Sequence, residues 1–405
     1  MNAGVKPPYL PYGRQVVEDD DIAAVVAALQ SDYLTTGPRV AEFEQALGEA
    51  TGAAHAVACS NGTAALHLAA RALDLGPGTT TIVPAITFLA TANAVRLHGG
   101  DVVFADVDPD TGLMRPDDLA EALSRCPGGK ANAVINVHLA GQCGDLAGIH
   151  RLARSQGLLI VDDACHALGT TYSVEDTRHR VGDNRLADLT CFSFHPVKTI
   201  AMGEGGAITT NDAKLAKRIA RDRNHGLSRD HDDFTQSEDA FDATGDANPW
   251  YYEMAAPGPN YRVPDILCAL GLSQLAKLNR FVTRRRVLVS AYDAMLHQLA
   301  PHVVPLKRTP GILPAWHLYV ALIDFAALDV DRAALMRRLA SQGIGTQVHY
   351  FPVYRQPYYK AANPTLRLPG ADEYYRRSLS LPLYPAMSTD DVTRVACALK
   401  RAIKR

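Results

Sequence analysis

A chain of 405 residues, 47% of them hydrophobic and 21% charged, has the make-up of an ordinary globular protein long enough for two packed units. Its formal net charge of −2 supplies no general attraction to nucleic acid or to an anionic membrane, so neither is an expected partner. No stretch approaches the ~18 unbroken apolar residues of a membrane span, and the N-terminal MNAGVKPPYLPYG has no signal-peptide core. Seven scattered cysteines without a C-x-x-C pair suit free thiols, most of them buried, in a reducing cytoplasm.

In chain order, EDDDIAAVVAALQS reads as a first helix. Between about residues 54 and 210, short β-rich runs recur: HAVACS, TIVPAITF, DVVFADVD, AVINVHLAG, LLIVDDACH, LTCFSFH and GAITTND. Helical patterns such as TAALHLAARAL and DLAGIHRLARSQG lie between most of them. Nearly continuous apolar strands alternating with helices predict an α/β unit on a mostly parallel sheet covered on both faces. Residues 228–259 break the rhythm with acids, Gly and Pro and read as a long loop. Beyond it, DILCALGLSQLAKLNRFVTRRRVLVSAYDAML reads as a long helical stretch and WHLYVALIDF as a strand. DRAALMRRLASQG reads as a helix ending at Gly343, and TQVHY as a further strand. The expected division is a large α/β unit, residues 1–265, and a smaller α+β unit, residues 266–405, with the N-terminal segment packing on the latter.

In VDDACHA, Asp162 and Asp163 end a buried strand, where open α/β sheets place ligands. Alternation turns their carboxylates to opposite sides, so at most one faces a site. Taken alone, such an Asp is more often a helix cap. A metal centre of Asp163, Cys165 and His166 lacks a further ligand pair at the usual spacing, so no metal is expected. In CSNGTAALHLAARAL a helix starts near Thr63, and its free amides with the Thr63 hydroxyl make an anion site suited to a phosphate; an ordinary capped helix start is the bland alternative.

SFHPVKTIAMGEGG sets Lys198 at the mouth of an apolar strand, between Pro196 and three glycines. A lone lysine after a strand is commonly a surface residue. Desolvated or beside other cations, it loses its proton more easily and attacks carbonyls. A pyridoxal phosphate site joins such a lysine to an acid for the pyridine nitrogen, an anion pocket and flat groups against the ring. Lys198, Asp163, the Thr63 turn, and Phe88 with His166 supply all four at strand ends of one inferred sheet.

The set LTTGPRVAEFE, SNGTAALHLA, PAITFLATANAV, VDDACHALG, SFHPVKTIAMGEGGAITTND, NYRVPDILCALGLSQL and TQVHYFPVY resembles the DegT/DnrJ/EryC1/StrS sugar-nucleotide aminotransferases from about residue 11 onward. These are pyridoxal 5'-phosphate enzymes of the aspartate aminotransferase fold (fold type I). The resemblance implies that Lys198 holds the cofactor aldehyde as a Schiff base and then shuttles the proton of transamination. It implies that Asp163 pairs with the pyridine nitrogen and that His166 lies beside the ring or reaches its 3-hydroxyl. Ser193 would bond the phosphate together with the Thr63 and Ala64 turn, and Phe88 would cover the other ring face. Asn260 would reach the phosphate from the neighbouring subunit, making the active unit a homodimer.

SFHPVK, PWYYEM and TQVHYFPVY are most similar to the enzymes of pseudaminic acid synthesis. Those transfer an amino group from glutamate to C4 of UDP-2-acetamido-2,6-dideoxy-β-L-arabino-hex-4-ulose. In that subgroup Tyr12, the stretch Asp32, Tyr33, Leu34 and Thr35, and the strand Gln347, Val348, His349 and Tyr350 would line the nucleotide-sugar site. Other acceptors in the family are a UDP-4-keto-pentose and dTDP- or GDP-keto-sugars. A dehydratase of the same fold is disfavoured because that branch replaces the lysine with histidine. An amino-acid aminotransferase is disfavoured for want of an arginine motif for the α-carboxylate, and a non-catalytic binding protein by the intact Lys198 and Asp163. GPGTTTIVP lacks the usual acid, AM precedes GEGGAI in place of two threonines, and TTYSVEDTRHRVGDNRLAD is a long charged hairpin expected near the pocket rim. His195 is expected to pack, with a substrate contact as the lesser alternative, and the glycines after Lys198 to let the backbone pass close to the cofactor or the neighbouring subunit.

Overall fold

The β-rich runs are the strands of one sheet in a computed structural model that describes residues 8–403. Residues 1–7, which open the N-terminal stretch, and 404–405, which end the smaller expected unit, lie outside the described residues. The strands are β1 (His55–Cys59), β2 (Thr80–Pro84), β3 (Asp101–Ala105), β4 (Ala133–Val137) and β5 (Leu159–Asp163). After a hairpin of β6 (Thr171–Val174) and β7 (Thr177–Arg180) come β8 (Leu189–Ser193) and β9 (Gly206–Thr210). The order is β1-β9-β8-β5-β4-β2-β3, with every neighbouring pair parallel except those of β9, which runs antiparallel to β1 and β8. β2 and β4 are buried at every position because helices cover both faces. Helix Gly62–Ala72 packs closely on β8 and β9 through the small buried side chains Ala64, Ala65, Ala69 and Ala72.

The antiparallel β9 explains where Lys198 goes. A parallel neighbour needs a long crossover, whereas β8 and β9 are joined by residues 194–205 looping over the strand ends. Backbone bonds Phe194 N to Gly205 O and Met202 N to Phe194 O, both 2.8 Å, close the base of this loop, and Phe194 is buried edge-on to Phe43. At Gly206 a Cβ would meet Asn61 O at 2.3 Å, and at Gly62 it would meet Ser193 Cβ at 2.8 Å. The tight approach at Gly206 is thus to the backbone turn at 61–62 of the same chain.

The long helical stretch is two helices, Asp265–Ala276 and Leu278–Leu296, meeting at Lys277. The first packs on helices Asp19–Leu29 and Pro38–Thr51, and its Cys268 and Leu275 share a core with Phe43, Phe192 and Phe194 beside the large sheet. The fully buried Asp21 fixes that contact: Ser273 Oγ and Gln274 Nε2 donate to it at 2.6 and 2.7 Å, and the Lys277 ammonium lies 2.8 Å away. A separate core gathers Leu288, Tyr292, Tyr319, Leu335, Val395 and Leu399, and Leu10 joins it from the N-terminal segment.

The 228–259 segment is less open than a plain loop. It holds a pair of two-residue strands, β10 (Leu227–Ser228) and β11 (Glu253–Met254), and a short helix, Ser237–Ala240. Its acids serve as turn caps: Glu253 accepts the Thr235 and Gln236 amides, and Asp242 accepts those of Thr244 and Asp246. Later come β12 (Val303–Pro305), β13 (Ile312–Leu313), β14 (Tyr319–Ile323) and β15 (Ser378–Leu381). β12, β14 and β15 form an antiparallel sheet, in which Leu318, Val320 and Leu322 face the large-sheet core while Tyr319, Ala321 and Ile323 face the second core.

Two expectations fail here. TQVHY is not a strand: within it only Gln347 makes a β-bridge, to Ser380. Tyr374 donates to His349 O at 3.0 Å, and the His349 and Tyr350 side chains are tied to Ser380 and His166. The charged hairpin β6–β7 pairs with β13 in a small sheet of its own, away from the cavity described below. All seven cysteines are free thiols, five of them buried. No helix among the described residues is long and apolar enough to cross a membrane.

Candidate active site

A cavity of about 700 Å³ opens over the C-terminal ends of β5 and β8. Asp163 ends β5 there, 5% exposed, with Oδ2 accepting from the Thr91 hydroxyl at 2.7 Å and Oδ1 from the Cys165 amide at 3.2 Å. Thr87 and Thr91 hydroxyls lie 2.7 Å apart; since Thr91 donates to the carboxylate, Thr87 donates to Thr91. Asp162 turns to the other face, as alternation requires, and meets His150 Nε2 at 3.2 Å and His138 Nε2 at 3.5 Å. Burial works against its ionised form, yet the two imidazoles hold its carboxyl well below the usual range.

Lys198 reaches the cavity from the β8–β9 loop, in a turn closed by its own amide to His195 O at 2.8 Å. Desolvation lowers the Lys198 pKa below that of a free lysine, opposed by its neighbours Cys165 and Asp163. Arg285, fully buried and without an acidic partner among the described residues, braces this loop from below: its guanidinium donates to Leu383 O at 2.9 Å, His317 O at 3.2 Å and Lys198 O at 3.4 Å. Burial pushes Arg285 down to about 10.

Beside the lysine, helix Gly62–Ala72 begins at an Asn61 cap, whose Oδ1 accepts the Ala64 amide at 2.9 Å while its carbonyl accepts that of Ala65. The cap leaves the Gly62 and Thr63 amides to the cavity, next to the hydroxyls of Thr63 and Ser193. Four donors at a helix N-terminus suit a phosphate, and Gly62 keeps this cradle open where any Cβ would strike Ser193. Across the cavity, the left-handed Ala140 (φ 59°) donates its amide to His166 Nδ1 at 3.3 Å and accepts the His317 amide at 2.9 Å. The ring of His166 lies 4.4 Å from that of His317. Burial, then the Lys198 charge, drives His166 far below its ordinary value; His317 falls likewise, and His349 is pushed down to about 3. His166, His317 and His349 are therefore neutral.

Of the residues singled out in the sequence, the cavity brings together Lys198, Asp163, His166, Ser193, Thr63, Phe88, Tyr12, Gln347, Val348, His349 and Tyr350. Ala64 is not among them: it is 2% exposed and its amide is spent on Asn61. Asp32, Tyr33, Leu34 and Thr35 are exposed and do not line it. Their segment is drawn toward the start of helix Asp265–Ala276, where the Asp265 carboxylate accepts the Gly37 and Arg39 amides at 2.8 and 2.9 Å. Asn260 is also exposed and outside this cavity, bridged to Asn224. His195 is exposed and lines the cavity, so it is not a packing histidine. Sequence reasoning missed Thr87, Thr91, Glu204 and His317. Thr87 and Thr91 carried a faint signal, two hydroxyls one helical turn apart; Glu204 and His317 carried none.

A lysine, a hydrogen-bonded carboxylate, an anion cradle and ring-bearing side chains on both flanks are the donor set a pyridoxal phosphate requires, and these residues fit it. Fold and site together define the class, a pyridoxal-phosphate-dependent transferase of fold type I. The model of the DegT/DnrJ/EryC1/StrS aminotransferase family matches residues 15–400, and the chain belongs to that family. Over 399 residues it is 36% identical to the spore coat polysaccharide biosynthesis protein SpsC of Bacillus subtilis (strain 168), covering 98% of this chain and 97% of SpsC. Among solved structures, Helicobacter pylori PseC, an aminotransferase involved in the biosynthesis of pseudoaminic acid, superposes with a TM-score of 0.86 at 27% identity, over 98% of this chain and 99% of PseC. The pyridoxal phosphate form of Spr1654 from Streptococcus pneumoniae, a putative sugar aminotransferase, gives 0.83 at 27% identity over 98% of each chain. The protein is a pyridoxal-phosphate-dependent sugar aminotransferase.

Proposed function

We propose that this enzyme transfers the amino group of glutamate to C4 of UDP-2-acetamido-2,6-dideoxy-β-L-arabino-hex-4-ulose, a step of pseudaminic acid synthesis. The observation that carries the chemistry is the convergence of Lys198, Asp163 and the Gly62–Thr63–Ser193 cradle on one cavity. The sugar is favoured by the SFHPVK, PWYYEM and TQVHYFPVY segments and by the likeness to PseC over nearly the whole chain.

In this reading Lys198 would hold the cofactor at its aldehyde carbon, Asp163 would keep the proton on its pyridine nitrogen, and Thr63 and Ser193 would bind its phosphate. His166 and Phe88 flank the ring. Pyridoxal phosphate, when bound, supplies the electron sink that lets a proton leave carbon next to nitrogen. Lys198 takes that proton from Cα of glutamate in the first half-reaction and delivers one to C4 of the sugar in the second. Its lowered pKa makes the proton easier to give up than that of a free lysine. Tyr12, Gln347, Val348, His349 and Tyr350 orient the sugar. The active unit is a homodimer, in which the exposed Asn260 of one copy reaches the phosphate bound by the other.

A panel of enzymatically made UDP-, dTDP- and GDP-4-keto-sugars, incubated with glutamate, tests the substrate by product mass and C4 stereochemistry. Preferred amination of a UDP-4-keto-pentose or of a dTDP- or GDP-sugar would replace the proposed acceptor and leave the amino-transfer chemistry standing.

A further inference from the structure

Of the three buried histidines at the catalytic cavity, one has no use for its ring nitrogens within the chain. His166 spends both of its own, on the Ala140 amide and the Tyr350 hydroxyl, and His349 Nδ1 meets Ser380 Oγ at 2.8 Å. His317 is only 3% exposed, yet its Nδ1 has no partner and its Nε2 makes no hydrogen bond among the described residues. Buried polar groups are almost always paired, and an unpaired one costs stability. Packing does not account for such a residue, since an apolar side chain fills space without that cost.

The main chain nevertheless holds this ring in place. The His317 amide donates to Ala140 O at 2.9 Å, and its carbonyl accepts from the buried Arg285 guanidinium at 3.2 Å. The ring lies 4.4 Å from that of His166, and His317 lines the cavity together with Lys198. Burial, then the neighbouring His166, Lys198 and Arg285, keeps the imidazole uncharged, so it carries a single N–H. Nδ1 is fully enclosed, which leaves Nε2 as the nitrogen open to the cavity. An orphaned N–H is rarer in protein interiors than an idle acceptor, which puts the proton on Nε2. A neutral donor on a fixed backbone thus faces the cavity with no acceptor from the described chain.

We infer that His317 is a further substrate-binding residue of the amino-transfer reaction, its Nε2–H donating to the carbonyl oxygen of the keto substrate beside Lys198. The inference rests on the reading above, in which the keto compounds are 2-oxoglutarate and a 4-keto-sugar. Each presents a ketone at the carbon that gains or loses nitrogen, so one donor serves both half-reactions. A hydrogen bond to that oxygen draws electron density from the carbon that an amine attacks. His317 gives up no proton; proton transfer stays with Lys198.

The test loads wild type, His317→Leu and His317→Gln with pyridoxamine phosphate, adds 2-oxoglutarate, and follows a single turnover by the absorbance of the bound cofactor. The melting temperature of each apoenzyme and its dissociation constant for pyridoxal phosphate are read alongside. In His317→Leu the second-order rate constant for 2-oxoglutarate should fall roughly tenfold, the loss of one hydrogen bond that leaves the ligand oxygen unpaired. His317→Gln, which keeps an N–H donor, should restore most of it. The empty His317→Leu protein should melt no lower than wild type, because it sheds an unpaired buried group, and its cofactor affinity should be unchanged. A wild-type rate constant in His317→Leu would overturn the proposal. So would a loss that His317→Gln fails to recover, accompanied by a lower melting temperature and weaker cofactor binding, since His317 would then serve packing. If the wild type leaves 2-oxoglutarate unreacted, glutamate falls as the donor, and the same three proteins compared on the 4-keto-sugar nucleotide that the wild type aminates decide His317.

Discussion

The Nε2 of His166 and the hydroxyl of Tyr350 lie 3.1 Å apart, and the direction of that bond is fixed from the far side of the imidazole. A backbone amide can only donate, so the Ala140 amide at 3.3 Å makes Nδ1 the acceptor and puts the ring proton on Nε2. His166 therefore donates to Tyr350. Burial raises the Tyr350 pKa well above its ordinary value, so the phenol keeps its own proton, which it offers to whatever occupies the cavity.

Tyr350→Phe should keep the fold and lose that donor. The expected cost is one neutral hydrogen bond to a ligand, about 0.5–1.5 kcal/mol, or roughly 2–10-fold in kcat/KM for the sugar nucleotide. Steady-state kinetics with a melting curve on the same preparation checks it; an unchanged kcat/KM would mean the phenol serves packing alone.

Thr91 supports Asp163 through the 2.7 Å bond to its carboxylate. Thr91→Val keeps the shape, removes the donor and orphans the Thr87 hydroxyl. Bonds to charged groups are worth about 1.5–3 kcal/mol, so the dissociation constant of pyridoxal phosphate should rise by roughly tenfold or more. Equilibrium titration of the apoenzyme by cofactor absorbance reads this, and Thr91→Ser should restore most of the loss.

Three buried neutral histidines make the fold sensitive to acid. His166, His317 and His349 all have depressed pKa values, that of His349 about 3, because burial opposes their charge. An unfolded histidine takes up a proton near pH 6.5, so below that point the unfolded chain binds more protons and the fold loses stability as pH falls. Each such residue contributes at most about 1.4 kcal/mol per pH unit. Melting temperatures should be flat from pH 8 to about 7 and decline toward pH 5. His349→Gln should lessen that slope while lowering the melting temperature at pH 8, since it breaks the bond to Ser380.

Much of this was legible because it depends on local pattern. Continuous apolar runs marked the strands, and two-residue alternation correctly separated Asp163, in the cavity, from Asp162, behind it. What was not legible depends on contacts between distant segments. His317 enters the site because Ala140 binds its amide, and nothing within WHLY announces that. TQVHY has the composition of a strand, yet only Gln347 pairs, with Ser380, and the His349 carbonyl goes to the distant Tyr374 hydroxyl. Asp32 to Thr35 lie outside the cavity of their own chain, next to a helix start that Asp265, more than two hundred residues later, holds.

The central claim is that Lys198 carries the cofactor. Borohydride reduction of the holoenzyme, followed by proteolysis and mass spectrometry of the peptides, tests it directly. A pyridoxyl group is expected on the peptide containing Lys198 and none in Lys198→Ala, which should lose turnover yet still bind pyridoxamine phosphate. A label on another lysine, or near wild-type transamination by Lys198→Ala, would contradict it.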